Sequence, residues 1–119
     1  MKTILIVEDT ELNVDLLTQL LEDDYNLLVA TDGGQGVSMA EQHRPDLVLM
    51  DIALPAMDGY EAARRIKSNP ALNGMVIIGL SAHAMSGDAE KAIAAGCDDY
   101  LTKPLDDMLL MEKLKKYLG

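Results

Sequence analysis

The sequence predicts an α/β domain built on a parallel sheet with helices on both faces. Short apolar runs alternate with longer amphipathic ones from end to end, the signature of repeated βα units. Three of the short runs are almost continuously apolar, as strands covered on both faces must be. At 119 residues the chain is long enough for one core and too short for two. Residues 1–119 are therefore read as one domain of five strands and five helices.

The first strand is expected at Thr3 to Val7, within ILIVED. A helix follows over Glu11 to Leu21, where Leu12, Leu16, Leu17, Leu20 and Leu21 recur at spacings of three and four. The second strand is placed at Leu27 to Ala30. The glycines of Asp32-Gly33-Gly34-Gln35-Gly36 lack the Lys-Ser or Lys-Thr of a phosphate-cradling loop, so they read as a turn into helix two. That helix spans Gly34 to Arg44 and is closed by Pro45.

The third strand is placed at Asp46 to Met50, in DLVLMD. Pro55 and Gly59 read as turn residues of the loop after it. The helix beyond Gly59 carries Arg64, Arg65 and Lys67, which fit a solvated face better than an acidic partner's dock. A fourth strand at Met75 to Leu80 precedes the Ala-rich helix Ala89 to Ala95, with Gly96 as its C′ residue. The fifth strand is Asp99 to Leu101. In the last helix Leu110, Leu114 and Leu118 share a face, and Lys113, Lys115 and Lys116 fall where the helix dipole favours cations.

Composition narrows the function. Twenty acids against ten bases give a net charge of −10, which opposes nucleic-acid binding, since that needs a basic face. No apolar run approaches the roughly 18 residues of a membrane helix, and no signal-peptide pattern opens the chain. Cys97 has no partner for an internal disulfide and reads as packing. The expected location is the cytoplasm.

Five strands in the flavodoxin-like order 2-1-3-4-5 put the switch point between the first and third strands. Glu8-Asp9 and Asp51 both fall there, with Ser81 after strand four and Lys103, followed by Pro104, after strand five. Converging carboxylates repel one another and call for a cation, and all-oxygen ligation suits Mg²⁺. The lysine then offers a fixed positive charge and the serine a hydrogen bond to phosphoryl oxygens. The chemistry favoured is phosphoryl transfer onto a carboxylate, with Asp51 as nucleophile and Lys103 stabilising charge. A strand-end salt bridge would explain any one of these residues, but not all of them at successive strand ends.

These residues, in ILIVED, LVLMDIALPAMDGYE, IIGLSAHAM and DDYLTKP, resemble the receiver domain of two-component response regulators over essentially the entire chain. The resemblance implies that Asp9, Asp51 and the backbone carbonyl of Ala53 ligate Mg²⁺, with Glu8 acting through water. It implies that Asp51 accepts phosphate from a histidine kinase or histidine phosphotransfer protein, that Lys103 and Ser81 contact the phosphoryl group, and that Ser81 and Tyr100 form the switch. Output would pass to a downstream protein through the fourth helix, fifth strand and fifth helix, a face that also suits a weak dimer; Met85 and Ala89 to Ala95 lie there. His83, two residues after Ser81, and Ala53, two after Asp51, fall where the family varies residues that tune acyl-phosphate hydrolysis. His43 reads as surface. Lys103-Pro104 resembles the family's cis-proline position.

Such a domain catalyses only its own phosphorylation and dephosphorylation. The wording SAHAM and DDYLTKP resembles receivers of hybrid kinases and of the cell-division regulator type more than the chemotaxis type. Three other readings stand beside it: a receiver fragment of a hybrid histidine kinase or transcription factor, a Mg²⁺-dependent phosphohydrolase, and a docking module that is never phosphorylated. The hydrolase pattern usually places a second Asp two residues after a nucleophile at the first strand, and Glu8-Asp9-Thr10-Glu11 lacks it. Retention of Asp9, Asp51, Ser81 and Lys103 opposes the docking module.

Overall fold

Period-two alternation along the strands divides the core into two layers. In a computed structural model, Leu5 and Val7 of β1 (Thr3–Val7) and Val48 and Met50 of β3 (Leu47–Asp51) face one side. Ile4, Ile6, Leu47 and Leu49 face the other. The structure describes residues 1–54, 56–72, 74–81 and 87–119, with the backbone alone at Asp88. Among these, the remaining elements are α1 (Glu11–Leu21), β2 (Asn26–Ala30), α2 (Gly33–His43), α3 (Gly59–Ser68), β4 (Val76–Ser81), α4 (Asp88–Ala94), β5 (Asp99–Thr102) and α5 (Asp107–Leu118), with a 3-10 turn at Pro70–Leu72.

The five strands are parallel in the order β2-β1-β3-β4-β5, so the flavodoxin-like arrangement expected from the sequence is observed. Small side chains from α2, α3 and α4 (Ala40, Ala62, Ala63, Ala92), with Ala95 at the end of α4 and Ile66, cover the first layer. Leu17 and Leu21 of α1 with Leu110 and Leu114 of α5 cover the second. Full burial of each such Leu or Ile contributes about 1.5–3 kcal/mol, so an Ala at Leu110 or Leu114 would open the α5 layer. Cys97 lies in the first layer, where burial pushes its thiol up to about 11, consistent with packing rather than chemistry. Among the described residues no helix is long and apolar enough to cross a membrane.

Local chemistry sets the helix ends. Asp32, Asp58 and Asp106 accept the backbone N–H of Gln35, Glu61 and Leu109 at 2.7, 2.9 and 3.1 Å, capping α2, α3 and α5. Arg44 takes the left-handed conformation (φ 47°) after α2, and Gly96 (φ 107°) follows α4 as its sequence position predicts.

The structure departs from the sequence reading in particulars. Strands β3 and β4 run one residue further than expected, so that Asp51 and Ser81 are their last residues, because the Ile52 N–H still bonds to the Leu80 carbonyl and the Lys103 N–H to that of Ser81. Of the five leucines of α1 only Leu17 and Leu21 are buried; Leu12 and Leu16 are 65% and 57% exposed. At about 100° per residue those five leucines span roughly half the helix circumference, wider than the groove the sheet offers. Pro55, His83 and Met85 lie outside the described residues.

Candidate functional site

Register brings the acids together. Val7 pairs with Met50 across β1 and β3, so the next residues, Glu8 just past β1 and Asp51 at the end of β3, fall side by side. One carboxylate oxygen from each of Glu8, Asp9 and Asp51 lies within 4.8 Å of the others. Glu8 is fully buried, Asp51 is 4% exposed, and Asp9 faces solvent.

Lys103 enters from the end of β5. Its Nζ donates to Glu8 Oε2 at 3.0 Å and lies 3.2 Å from Asp51 Oδ2. The Lys103-Pro104 peptide bond is cis. Ser81, buried at the end of β4, stands beside this corner through its register with Thr102, the residue before Lys103. Asp51 Oδ1 accepts the Ala53 N–H at 3.1 Å, which ties the carboxylate to the start of its own loop. Tyr100 lies on β5 opposite Gly79 and is 37% exposed.

Electrostatics separate the two buried acids. Burial pushes the Asp51 carboxyl up, the Glu8 charge adds to it, and Lys103 and the Ala53 N–H only partly offset them, leaving it at about 6. Burial also acts against the charged form of Glu8, but Lys103, Asn13 and the Thr10 N–H outweigh it and hold that carboxyl below its ordinary value. Lys103 would be lowered by burial; its two carboxylate partners reverse this and raise it.

Asn13, on the first turn of α1, escaped the sequence reading. Its Nδ2 donates to Glu8 Oε1 at 3.3 Å, beside the Thr10 N–H at 3.2 Å. Gly59 also does more than turn the chain. A Cβ there would overlap the Asp51 carbonyl oxygen and stand 2.8 Å from Ile52 Cα, so α3 can start flush against the strand end only as glycine.

Three clustered carboxylates, two of them paired with the one lysine, leave two negative charges uncompensated when all are ionised, on an all-oxygen donor set. That set fits a hard divalent cation such as Mg²⁺. A cleft of about 440 Å³ opens beside it, lined in part by Glu8, Leu16, Leu20, Lys103, Pro104 and Leu105. The arrangement can hold a cation against a nucleophilic carboxylate with a lysine already at hydrogen-bonding distance.

Comparison with known proteins gives one consistent picture. The family described as "Response regulator receiver domain" matches residues 4–115. The polar-differentiation response regulator DivK of Brucella anthropi is 39% identical over 119 residues, covering 99% of this chain and 97% of that protein. The receiver domain of the sensor histidine kinase PA1611 from Pseudomonas aeruginosa PAO1, solved with a magnesium ion coordinated in its active-site cleft, superposes with a TM-score of 0.92 at 38% identity, covering 99% of this chain and 98% of that one. The receiver domain of Ssk1 from Saccharomyces cerevisiae, solved with the histidine phosphotransfer protein Ypd1, gives a TM-score of 0.90 at 31% identity, covering 98% and 88%.

Proposed function

The chain belongs to the response regulator receiver domain family, a signalling family of two-component systems, and on that premise we propose that residues 1–119 form one phospho-accepting switch that takes its phosphoryl group on Asp51. One observation carries the assignment: a nearly buried aspartate ends the central strand β3 with its carboxylate clustered with Glu8 and Asp9 and 3.2 Å from Lys103 Nζ.

In this reading an Asp51 carboxylate oxygen attacks the phosphorus of a phosphohistidine. The new bond is the O–P bond of an acyl phosphate, and the bond broken is the N–P bond to the departing imidazole. Lys103 meets the charge of the incoming phosphoryl oxygens, and Ser81 offers them its hydroxyl. The Ala53 N–H holds one oxygen of that carboxylate in place. Asp9, Asp51 and the carbonyl of Ala53 would hold Mg²⁺, with Glu8 behind them; when bound, the ion supplies positive charge against the phosphoryl oxygens. Ser81 and Tyr100 would report the modification by shifting an equilibrium between two conformations of the face built from α4, β5 and α5. Output through that face would be protein contact, including a weak dimer, within the cytoplasm, without nucleic acid.

The phosphodonor would be a histidine kinase or histidine phosphotransfer protein, docking on α1, where Leu16 lines the cleft and Leu12 stands exposed one turn before it. The neighbour solved with Ypd1 supports a partner of this class.

The test is transfer from a radiolabelled phosphohistidine protein. Label should pass to the chain with Mg²⁺ present and fail to pass with chelator or in Asp51→Asn. Transfer to Asp51→Asn, or steady release of phosphate from unrelated phosphoesters, would overturn the proposal, the second result in favour of a phosphohydrolase.

A further inference from the structure

Helix α2 touches both acidic segments from behind, and it does so through two glycines. A Cβ built on Gly33 would overlap the Met57 carbonyl oxygen and stand 3.0 Å from Met57 Cβ. One built on Gly36 would stand 2.9 and 3.0 Å from the two γ-carbons of Val7. Neither glycine is among the left-handed residues, so these positions use the missing side chain and not the backbone freedom. Glycine inside a helix lowers its stability, a cost that the close approach explains.

The two contacts lead to the site by separate routes. Val7 is the last residue of β1, directly before Glu8-Asp9. Met57 belongs to the loop between β3 and α3, two residues before Gly59, whose N–H bonds to the Ile52 carbonyl at 2.9 Å and whose bare Cα sits against the Asp51 carbonyl. Gly33 thus bears on the segment carrying Asp51 and Ala53, and Gly36 on the segment carrying Glu8 and Asp9. Gly34 lies between them with room to spare: its Cβ would meet only Asp32 Oδ1, at 3.5 Å.

We propose that α2 is the spacer that sets the separation of Glu8-Asp9 from Asp51, with Gly33 and Gly36 as its positioning residues. The proposal rests on the reading of these acids as the metal and phosphoryl site. An added methyl at Gly33 meets backbone, which no side-chain change can relieve. One at Gly36 meets a valine, which a smaller residue can.

The experiment compares Gly33→Ala, Gly34→Ala, Gly36→Ala and Gly36→Ala with Val7→Ala, each folded by circular dichroism. Amide NMR signals are recorded first without metal and then through a Mg²⁺ titration. The proposal expects Gly33→Ala to move the Ile52 and Ala53 amides in the metal-free protein and to weaken Mg²⁺ binding about tenfold, the scale on which residues behind a ligand act. Gly36→Ala should move the Glu8 and Asp9 amides, and Val7→Ala should restore them. Gly34→Ala should change neither.

A purely structural role would lower the melting temperature and leave the Mg²⁺ affinity of the folded protein unchanged, which would overturn the proposal. Should Gly33→Ala fail to fold, Gly36→Ala and its Val7→Ala partner decide: unmoved acidic-loop amides in the folded single variant overturn it. Should the wild type bind no Mg²⁺, the site reading fails. The metal-free shifts then still decide the spacer role, since equal spectra for Gly33→Ala and Gly34→Ala would refute it.

Discussion

Lys103 Nζ lies 3.0 Å from Glu8 Oε2, joining the carboxyl ends of the last and first strands across the β3 corner that holds Asp51. The same ammonium is 3.2 Å from Asp51 Oδ2. Lys103 therefore supplies the positive charge that a cation would otherwise bring to these carboxylates.

Replacing it should uncouple two properties. In Lys103→Met the site loses a positive charge, so Mg²⁺ binding should tighten by roughly three- to tenfold. Phosphorylation should slow by about 10²-fold, because the charge that meets the transferring oxygens is gone. Calorimetric Mg²⁺ titration beside phosphorylation kinetics checks both. A parallel loss of the two would contradict the competing role assigned to Lys103.

Asp51 should weaken the metal-free fold at neutral pH. Its folded carboxyl sits at about 6, above the ordinary value of 3.8, so the folded state binds more protons across that window. Stability falls as pH rises through it and stays low above it. Asp51→Asn should remove this slope and stabilise the protein by about 1–2 kcal/mol at pH 7 without metal. Denaturant melts of both proteins from pH 4 to 8, with chelator and then with Mg²⁺, test it; Mg²⁺ should flatten the wild-type curve.

Asp99 works in the opposite direction. Both of its oxygens meet Lys113 Nζ at 2.9 Å, and Tyr117 donates to Oδ2 at 3.1 Å, pinning α5 to β5. Burial would raise its carboxyl; Lys113, the Tyr100 N–H and Tyr117 outweigh this and hold it below its ordinary value. The stabilisation is present above the ordinary carboxylate range and is lost as pH falls through the depressed value. Lys113→Ala should cost about 1 kcal/mol at pH 7 and markedly less in strong acid, read by melts at the two pH values.

The exposed leucines of α1 should matter to a partner and not to the fold. Leu12→Ala and Leu16→Ala should each change stability by under about 0.5 kcal/mol. Transfer from a phosphohistidine protein should slow in both, while phosphorylation by a small donor stays at the wild-type rate. Equal rates with the protein donor would remove α1 from the docking surface.

The sequence was most legible where one local signal decided the outcome. Apolar runs marked β1 and β3, and Glu11 to Leu21 is α1 to the residue, because hydrophobic period dominates there. The same period could not say which leucines face the sheet, since Leu12 and Leu17 are equally apolar and only the width of the groove separates them. Strand order rested on topology rules, and it placed Glu8, Asp9, Asp51 and Lys103 at one sheet end, where the structure brings them together. Asn13 carries no pattern: a neutral amide five residues after Glu8 becomes informative only when the turn into α1 folds it back. Gly33 and Gly36 read as turn residues because their close approach to Met57 and Val7 is a tertiary fact.

The most direct test of the account is the intact mass of the protein after incubation with a small acyl phosphate donor and Mg²⁺, with peptide mapping of any adduct. The account predicts one added phosphoryl group, located on Asp51, absent with chelator and absent from Asp51→Asn. An adduct that persists in Asp51→Asn, or a wild-type protein that gains none, would contradict it.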